Sequence, residues 1–187
     1  GKNLWPLVLS DYPVLADGVA RFAGEAVALV VAQTRRAALD AARLVRIDFE
    51  EKKAVFDPEE AMREGAPKVF GDDNVFRRYA VHKGDVERGF AEADVVVEGE
   101  FETGYQVQAY LETQGIIAEP TYEGGMRVVG SMQCPFYVHD AVAAVLGVPH
   151  NRVQIVQLPT GGGFGGKEDM PSLVGAHAAL ASWATGR

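Results

Sequence analysis

The sequence predicts a mixed α+β fold. Three observations point there: a strand–helix–strand pattern over residues 26–50, a hairpin followed by a helix and another strand over 110–158, and a final helix behind a glycine-rich loop, from residue 169 onward. AVALVVA (26–32) is a continuous apolar run, short enough for a buried strand. Thr34 can cap a helix through its hydroxyl, and Ala37, Ala38, Ala41, Leu44 and Val45 then recur at helical spacing. From Leu44 to Glu50 the pattern alternates, with Val45, Ile47 and Phe49 on one side. Such a unit is expected to be parallel and right-handed. DPEEAM (57–62) starts a short helix, with Asp57 at the cap and Pro58 at the first helical position. Residues 63–85 are polar, broken by Gly and Pro, and read as a long connection and domain boundary. GDVERGFAEA (84–93) is a helix capped by Asp85, and 93–104 a strand with Val95 and Val97 facing one way. Residues 110–133 read as two strands around the turn Glu123-Gly124-Gly125. Pro135 opens a helix with Phe136, Val138, Val142 and Val145 along one side; Gly147 stops it and Pro149 prevents its return. RVQIVQL (152–158) is the next strand. Asp169 to Trp183 is a small-residue-rich helix with Leu173, Ala176, Leu180 and Trp183 near one face.

Composition narrows the class. The 187 residues suffice for one domain or two small ones, and nearly half of them are apolar. A formal charge of −8 without any basic run argues against nucleic-acid or anionic-membrane binding. The single cysteine, Cys134, excludes an intrachain disulfide and a cysteine-held zinc or iron–sulfur centre within this chain, and fits a reducing, cytoplasmic setting. No apolar stretch is long enough for a membrane span. The opening GKNLWPLVLSDY lacks a signal-peptide layout, and both ends look cut, as in a piece of a longer polypeptide.

TGGGFGGKED (160–169) is the motif that carries chemistry. Gly161, Gly163 and Gly166 fit a dinucleotide fingerprint, and Gly161, Gly166 and Lys167 fit most of a phosphate loop. The hydroxyl that should follow Lys167 is replaced by Glu168, which would repel a phosphate. Too little chain follows for a ribose-binding second strand. A ligand-free turn is the plain alternative, but five glycines among residues 161–166 cost more backbone entropy than a turn requires. Amides facing a bulky polar ligand account for them better.

Together with SMQCPFYVHDAVAAVLGVPHNRVQIV ahead of it, with YLETQGIIAEP, and with RFAGEAVALVVAQTRRAALDAARLVRIDFEE, this loop resembles the molybdenum-binding large subunit of the xanthine dehydrogenase and aldehyde oxidase family. The resemblance covers essentially the whole chain. It implies part of an α/β hammerhead domain over 1–62, a linker over 63–85, and the start of a molybdopterin-binding domain over 86–187. By position, Gln133 matches the family glutamine that hydrogen-bonds the apical oxo ligand of molybdenum. Gly162, Gly163, Phe164 and Gly165 match the loop that packs on the cofactor, with Gln133 and Phe164 near the metal and no protein atom ligating it. Glu168 matches the substrate-binding glutamate of relatives that act on purines, which implies oxidative hydroxylation of a C–H carbon of an N-heterocycle, or of an aldehyde, with oxygen from water. The resemblance further implies molybdopterin, as its cytosine dinucleotide in a bacterial-type arrangement. It implies 2Fe-2S clusters and FAD on other subunits or domains, an oligomeric full enzyme, and a catalytic glutamate base outside this chain. On that reading the isolated chain is inactive.

The competing readings are a nucleotide-binding module and a non-catalytic interaction domain. Among the remaining residues, Glu112 and Glu119 read as structural, and Cys134 as packing. Lys167 reads as balancing Glu168 or reaching solvent. Trp5 and Trp183 read as packing residues. His82, His139, His150 and His177 show no ligand spacing.

Overall fold

The computed structural model describes residues 1–6 and 9–187; Leu7 and Val8, in the opening stretch, lie outside the described residues. The chain forms two compact units, Gly1–Arg46 with Val107–Arg187, and Ile47–Gln106.

In the larger unit, helix α1 (Arg35–Ala42) starts where Thr34 accepts from the Ala37 amide. The smaller unit carries two short helices, each started by a local cap. Helix α2 (Pro58–Ala61) opens with the Asp57 side chain accepting from the Glu60 amide, and α3 (Val86–Glu92) with Asp85 accepting from Arg88. Asn74, at φ 59°, ties the segment between them: its side chain accepts from the Val69 and Phe70 amides and donates to the Ala61 and Pro67 carbonyls.

The strands expected over 26–32, 44–50 and 93–104 do not form among the described residues. A strand exists only through its ladder, and these apolar runs find no partner, so Val31, Phe49 and Val97 stay exposed. The sheet that does form lies in the larger unit and has three strands, β1 (Ile116–Pro120), β2 (Met126–Ser131) and β3 (Val153–Leu158). Its order is β1-β2-β3. β1 pairs antiparallel with β2 through the Glu123–Gly125 turn, and β2 pairs parallel with β3.

Helix α4 (Pro135–Leu146) makes the crossover between the parallel strands. It ends where Gly147 takes the left-handed conformation (φ 70°), and the Gly147 and Val148 amides both donate to the Ala143 carbonyl. A three-residue turn, His150–Arg152, leads into β3. α4 buries more of its circumference than one stripe. Val138 and Val142 join Met126, Val128, Met132, Val153 and Ala179 in one core cluster, while Ala141 and Val145 join Trp5, Val14, Leu173 and Ala176 in another. Burying each valine contributes roughly 1.5–3 kcal/mol. Phe136, expected on the inner face, is exposed, because it lies two residues and so about 200° round the helix from buried Val138. The last helix, α5 (Met170–Thr185), packs its small residues on α4 and the sheet, and Trp183 at its end is half exposed. Among the described residues no helix is long and apolar enough to cross a membrane.

Candidate functional site

The sheet topology decides where the motif residues meet. β2 and β3 are parallel, so both end on the same side, and antiparallel β1 begins there. Three segments therefore converge at one end of the sheet: residues 108–114 ahead of β1, Gln133 after β2, and the glycine loop after β3. Ligand crevices of α/β sheets characteristically open beyond the carboxyl ends of parallel strands.

Gln133 is the hub. Its backbone amide donates to the Lys167 carbonyl at 2.7 Å. Its side-chain Oε1 accepts from the amides of Gly165 at 3.1 Å and Lys167 at 3.2 Å. Only the carbonyl end of an amide can accept, so these two donors fix which way the group points. The Nε2 donors are left facing away from the loop backbone, and the partner found for them is the Glu168 carboxylate, at 3.5 Å. Gln133 and Glu168, 35 residues apart in sequence, are thus neighbours.

Three of the loop's glycines make room for this chain's own side chains. A Cβ on Gly163 would run into the side chain of Gln133, one on Gly166 into the ring of Tyr110, and one on Gly161 would lie 2.6 Å from Cβ of Glu112. Much of the close approach is therefore to this chain's own side chains. Gly162 and Gly165 take positive φ values of 91° and 90°, and Phe164 between them sits at φ 52°. For a bulky residue that conformation costs roughly 1–2 kcal/mol. The Phe164 residue is 76% exposed. The amides of Gly162 and Phe164 donate to no other described residue.

Lys167 corrects the sequence reading outright. It neither balances Glu168 nor reaches solvent: its residue is 0% exposed, and Nζ lies 2.6 Å from the Glu112 carboxylate and 3.2 Å from the Ser131 hydroxyl. The ammonium also lies over the Tyr110 ring, 4.9 Å from its centroid. The Lys167 ammonium, the Ser131 hydroxyl and the Gly161 amide pull the Glu112 carboxyl down to about 2. Gln114 completes the wedge by donating to the Gly166 carbonyl at 2.7 Å. A lysine held this way cannot serve a phosphate, and the phosphate-loop reading fails there.

The other residues singled out in the sequence fall into place. Glu119 pairs with Arg127 across the β1–β2 ladder at 3.0 Å. His177 contacts the Val14 carbonyl at 2.6 Å and is a packing residue. Cys134 caps α4 without a side-chain bond; burial first, then the carboxylates of Glu168 and Asp169, push its thiol up. It should therefore react with a disulfide reagent at pH 7.5 about tenfold more slowly than the unfolded chain does; equal rates would show that the thiol is not shielded. His139, Asp140 and His150, which show no motif spacing, come together because the chain reverses at Gly147–Pro149.

Comparison with known proteins gives the family. The family described as the molybdopterin cofactor-binding domain matches residues 69–187, and the aldehyde oxidase and xanthine dehydrogenase a/b hammerhead domain matches residues 1–53. The chain is 36% identical over 185 residues to the nicotinate dehydrogenase large molybdopterin subunit of Eubacterium barkeri, covering 99% of this chain and 43% of that protein. It is 36% identical over 181 residues to the xanthine dehydrogenase/oxidase of Mus musculus, covering 96% of this chain and 13% of that one. Quinoline 2-oxidoreductase from Pseudomonas putida 86 superposes with a TM-score of 0.75 at 32% identity, covering 94% of this chain and 22% of that structure. The chain thus spans less than half the length of these relatives. With Gln133, the glycine loop and Glu168 joined at the carboxyl end of a β-α-β unit, and with both family matches in order along the sequence, the chain belongs to the xanthine dehydrogenase and aldehyde oxidase family of molybdopterin-binding large subunits.

Proposed function

We propose that this chain is the cofactor-facing part of a molybdenum hydroxylase that oxidises a C–H carbon of an N-heterocycle. The observation that carries the reading is the locked Gln133 amide, whose Nε2 donors point out beside the Glu168 carboxylate. The residues fit the group. An oxygen-rich, anionic cofactor asks for N–H donors and no added charge. The outward Gln133 amide and the amides of Gly162 and Phe164, unpaired among the described residues, offer them, while the nearby ammonium of Lys167 is sealed off.

Gln133 and the loop from Gly162 to Gly165 would hold the molybdopterin group, with Phe164 exposed on its side of the loop. When bound, that group supplies the oxygen transfer and accepts the electron pair. The chain's own contribution is orientation. Glu168 accepts a hydrogen bond from a ring N–H of the substrate, and its distance from Gln133 fixes the ring against the cofactor. The relatives named for nicotinate and quinoline support a heterocycle as the substrate class. The same reading places a hammerhead part over 1–62, a linker over 63–85 and the start of the cofactor domain over 86–187. It places the catalytic base, iron–sulfur clusters and flavin on residues beyond this chain, and the cytosine dinucleotide on the pterin.

The test is substrate-dependent. In a full-length polypeptide carrying this chain, Glu168→Ala should lower kcat/KM for a purine or pyridine substrate about a hundredfold. Turnover of an aromatic aldehyde should change only severalfold. Equal losses on both substrates, or none on either, would remove Glu168 from substrate recognition.

A further inference from the structure

The cluster of His139, Asp140 and His150 has the makings of a metal site. One ligand atom from each residue lies within 4.8 Å of the other two. Asp140 Oδ1 is 3.4 Å from His139 Nδ1 and 3.4 Å from His150 Nδ1. That spacing is close to the edge of a tetrahedron whose centre lies about 2.0–2.1 Å from each ligand.

The hydrogen bonding of His139 argues that the gap wants a cation. Its Nε2 lies 2.9 Å from the His150 carbonyl, an acceptor only, so Nε2 carries the hydrogen. In the neutral ring Nδ1 is then a bare lone pair, and it points at the Asp140 carboxylate. Nδ1 of His150 faces the same oxygen from the other side. With the hydrogen of His150 on Nε2 as well, three lone pairs face one centre, an arrangement that a cation stabilises. A ring whose far nitrogen donates to a backbone carbonyl is also the usual way a metal-binding histidine is oriented. The two rings stand edge to face, 5.1 Å between centroids, so neither blocks the other's approach to a common centre.

The geometry points to a site for one divalent, zinc-class cation held by His139 Nδ1, His150 Nδ1 and Asp140 Oδ1, with the remaining position open to water. Two imidazoles and one carboxylate suit zinc, cobalt and nickel and are poor ligands for magnesium or calcium. Such an ion clips helix α4 to the turn that starts β3. It is a site of this chain's surface, independent of the molybdopterin reading.

Calorimetric titration of zinc chloride into the chelator-stripped chain tests it. One equivalent should bind, and saturating zinc should raise Tm. His150→Ala, chosen because that side chain is 66% exposed and carries no core contact, should weaken binding at least about tenfold and abolish the Tm rise. Cobalt in place of zinc should give visible d–d bands that are lost in Asp140→Asn, while His82→Ala changes nothing. Absence of saturable binding, or binding that His150→Ala leaves intact, overturns the site.

Discussion

Glu112→Ala should lower the Tm of the chain by on the order of 10 °C, and Lys167→Met by much less. The asymmetry follows from where each charge sits. Lys167 is 0% exposed, whereas the Glu112 side chain is 43% exposed. Removing the carboxylate leaves an ammonium with only the Ser131 hydroxyl and the Tyr110 ring for company. That group must then stay charged without a counter-ion or lose its proton, and either course costs stability. Removing the lysine instead leaves a carboxylate that water can reach, and Met fills the vacated space with an apolar chain of similar length. Glu112→Gln should fall between the two, since it keeps an acceptor but not the charge. The pH dependence has a definite sign. The carboxyl of Glu112 is pulled from the usual 4.5 to about 2 in the folded chain. Stability from the pair is therefore complete above the unfolded value and disappears as pH falls from about 4.5 toward 2. Thermal melts across that window should show the wild type losing this increment and Glu112→Gln losing none of it. Equal Tm losses for Glu112→Ala and Lys167→Met would mean that the lysine is not buried as an ion.

What the sequence discloses and what it hides divides along the range of the interaction. Thr34, Asp57, Asp85 and Gly147 act within one helical turn, and each starts or stops a helix where its chemistry says it should. The runs 26–32, 44–50 and 93–104 have strand chemistry, but a strand needs a neighbour, and no local pattern says whether one is in reach. The site behaves the same way. That Gln133 and Glu168 belong together follows only from likeness to a family, since nothing at a separation of 35 residues marks them as neighbours. The pairing of Lys167 with Glu112, 55 residues apart, leaves no trace in the sequence, and a lysine after glycines looks like a ligand-binding group rather than a buried ion. In the sequence the glycines read as room for a ligand. At positions 161, 163 and 166 that room is already taken by Glu112, Gln133 and Tyr110.

The occupied room makes Gly163 a sensitive position for the proposed catalysis. In the full-length polypeptide, Gly163→Ala should cut turnover about a hundredfold while moving Tm by only a few degrees. Its backbone is not in the left-handed region, so alanine meets no conformational strain there. The added methyl would instead fall on the Gln133 amide, inside contact distance of Oε1 and 2.7 Å from Cδ. Gln133 has a flexible side chain and can retreat, so the fold survives. The retreat breaks the bonds from the Gly165 and Lys167 amides that orient it, at about 1 kcal/mol each. What is lost is the outward direction of Nε2, and with it the alignment of cofactor and substrate that the proposed chemistry needs. Gly124→Ala is the matching control. A methyl there meets nothing within 4 Å, but φ is 74°, so it should destabilise the β1–β2 turn without touching Gln133. Measuring turnover and Tm for both variants separates the two causes. If Gly163→Ala keeps full activity, or if both variants lose activity only in proportion to stability, then the loop is not holding Gln133 for catalysis.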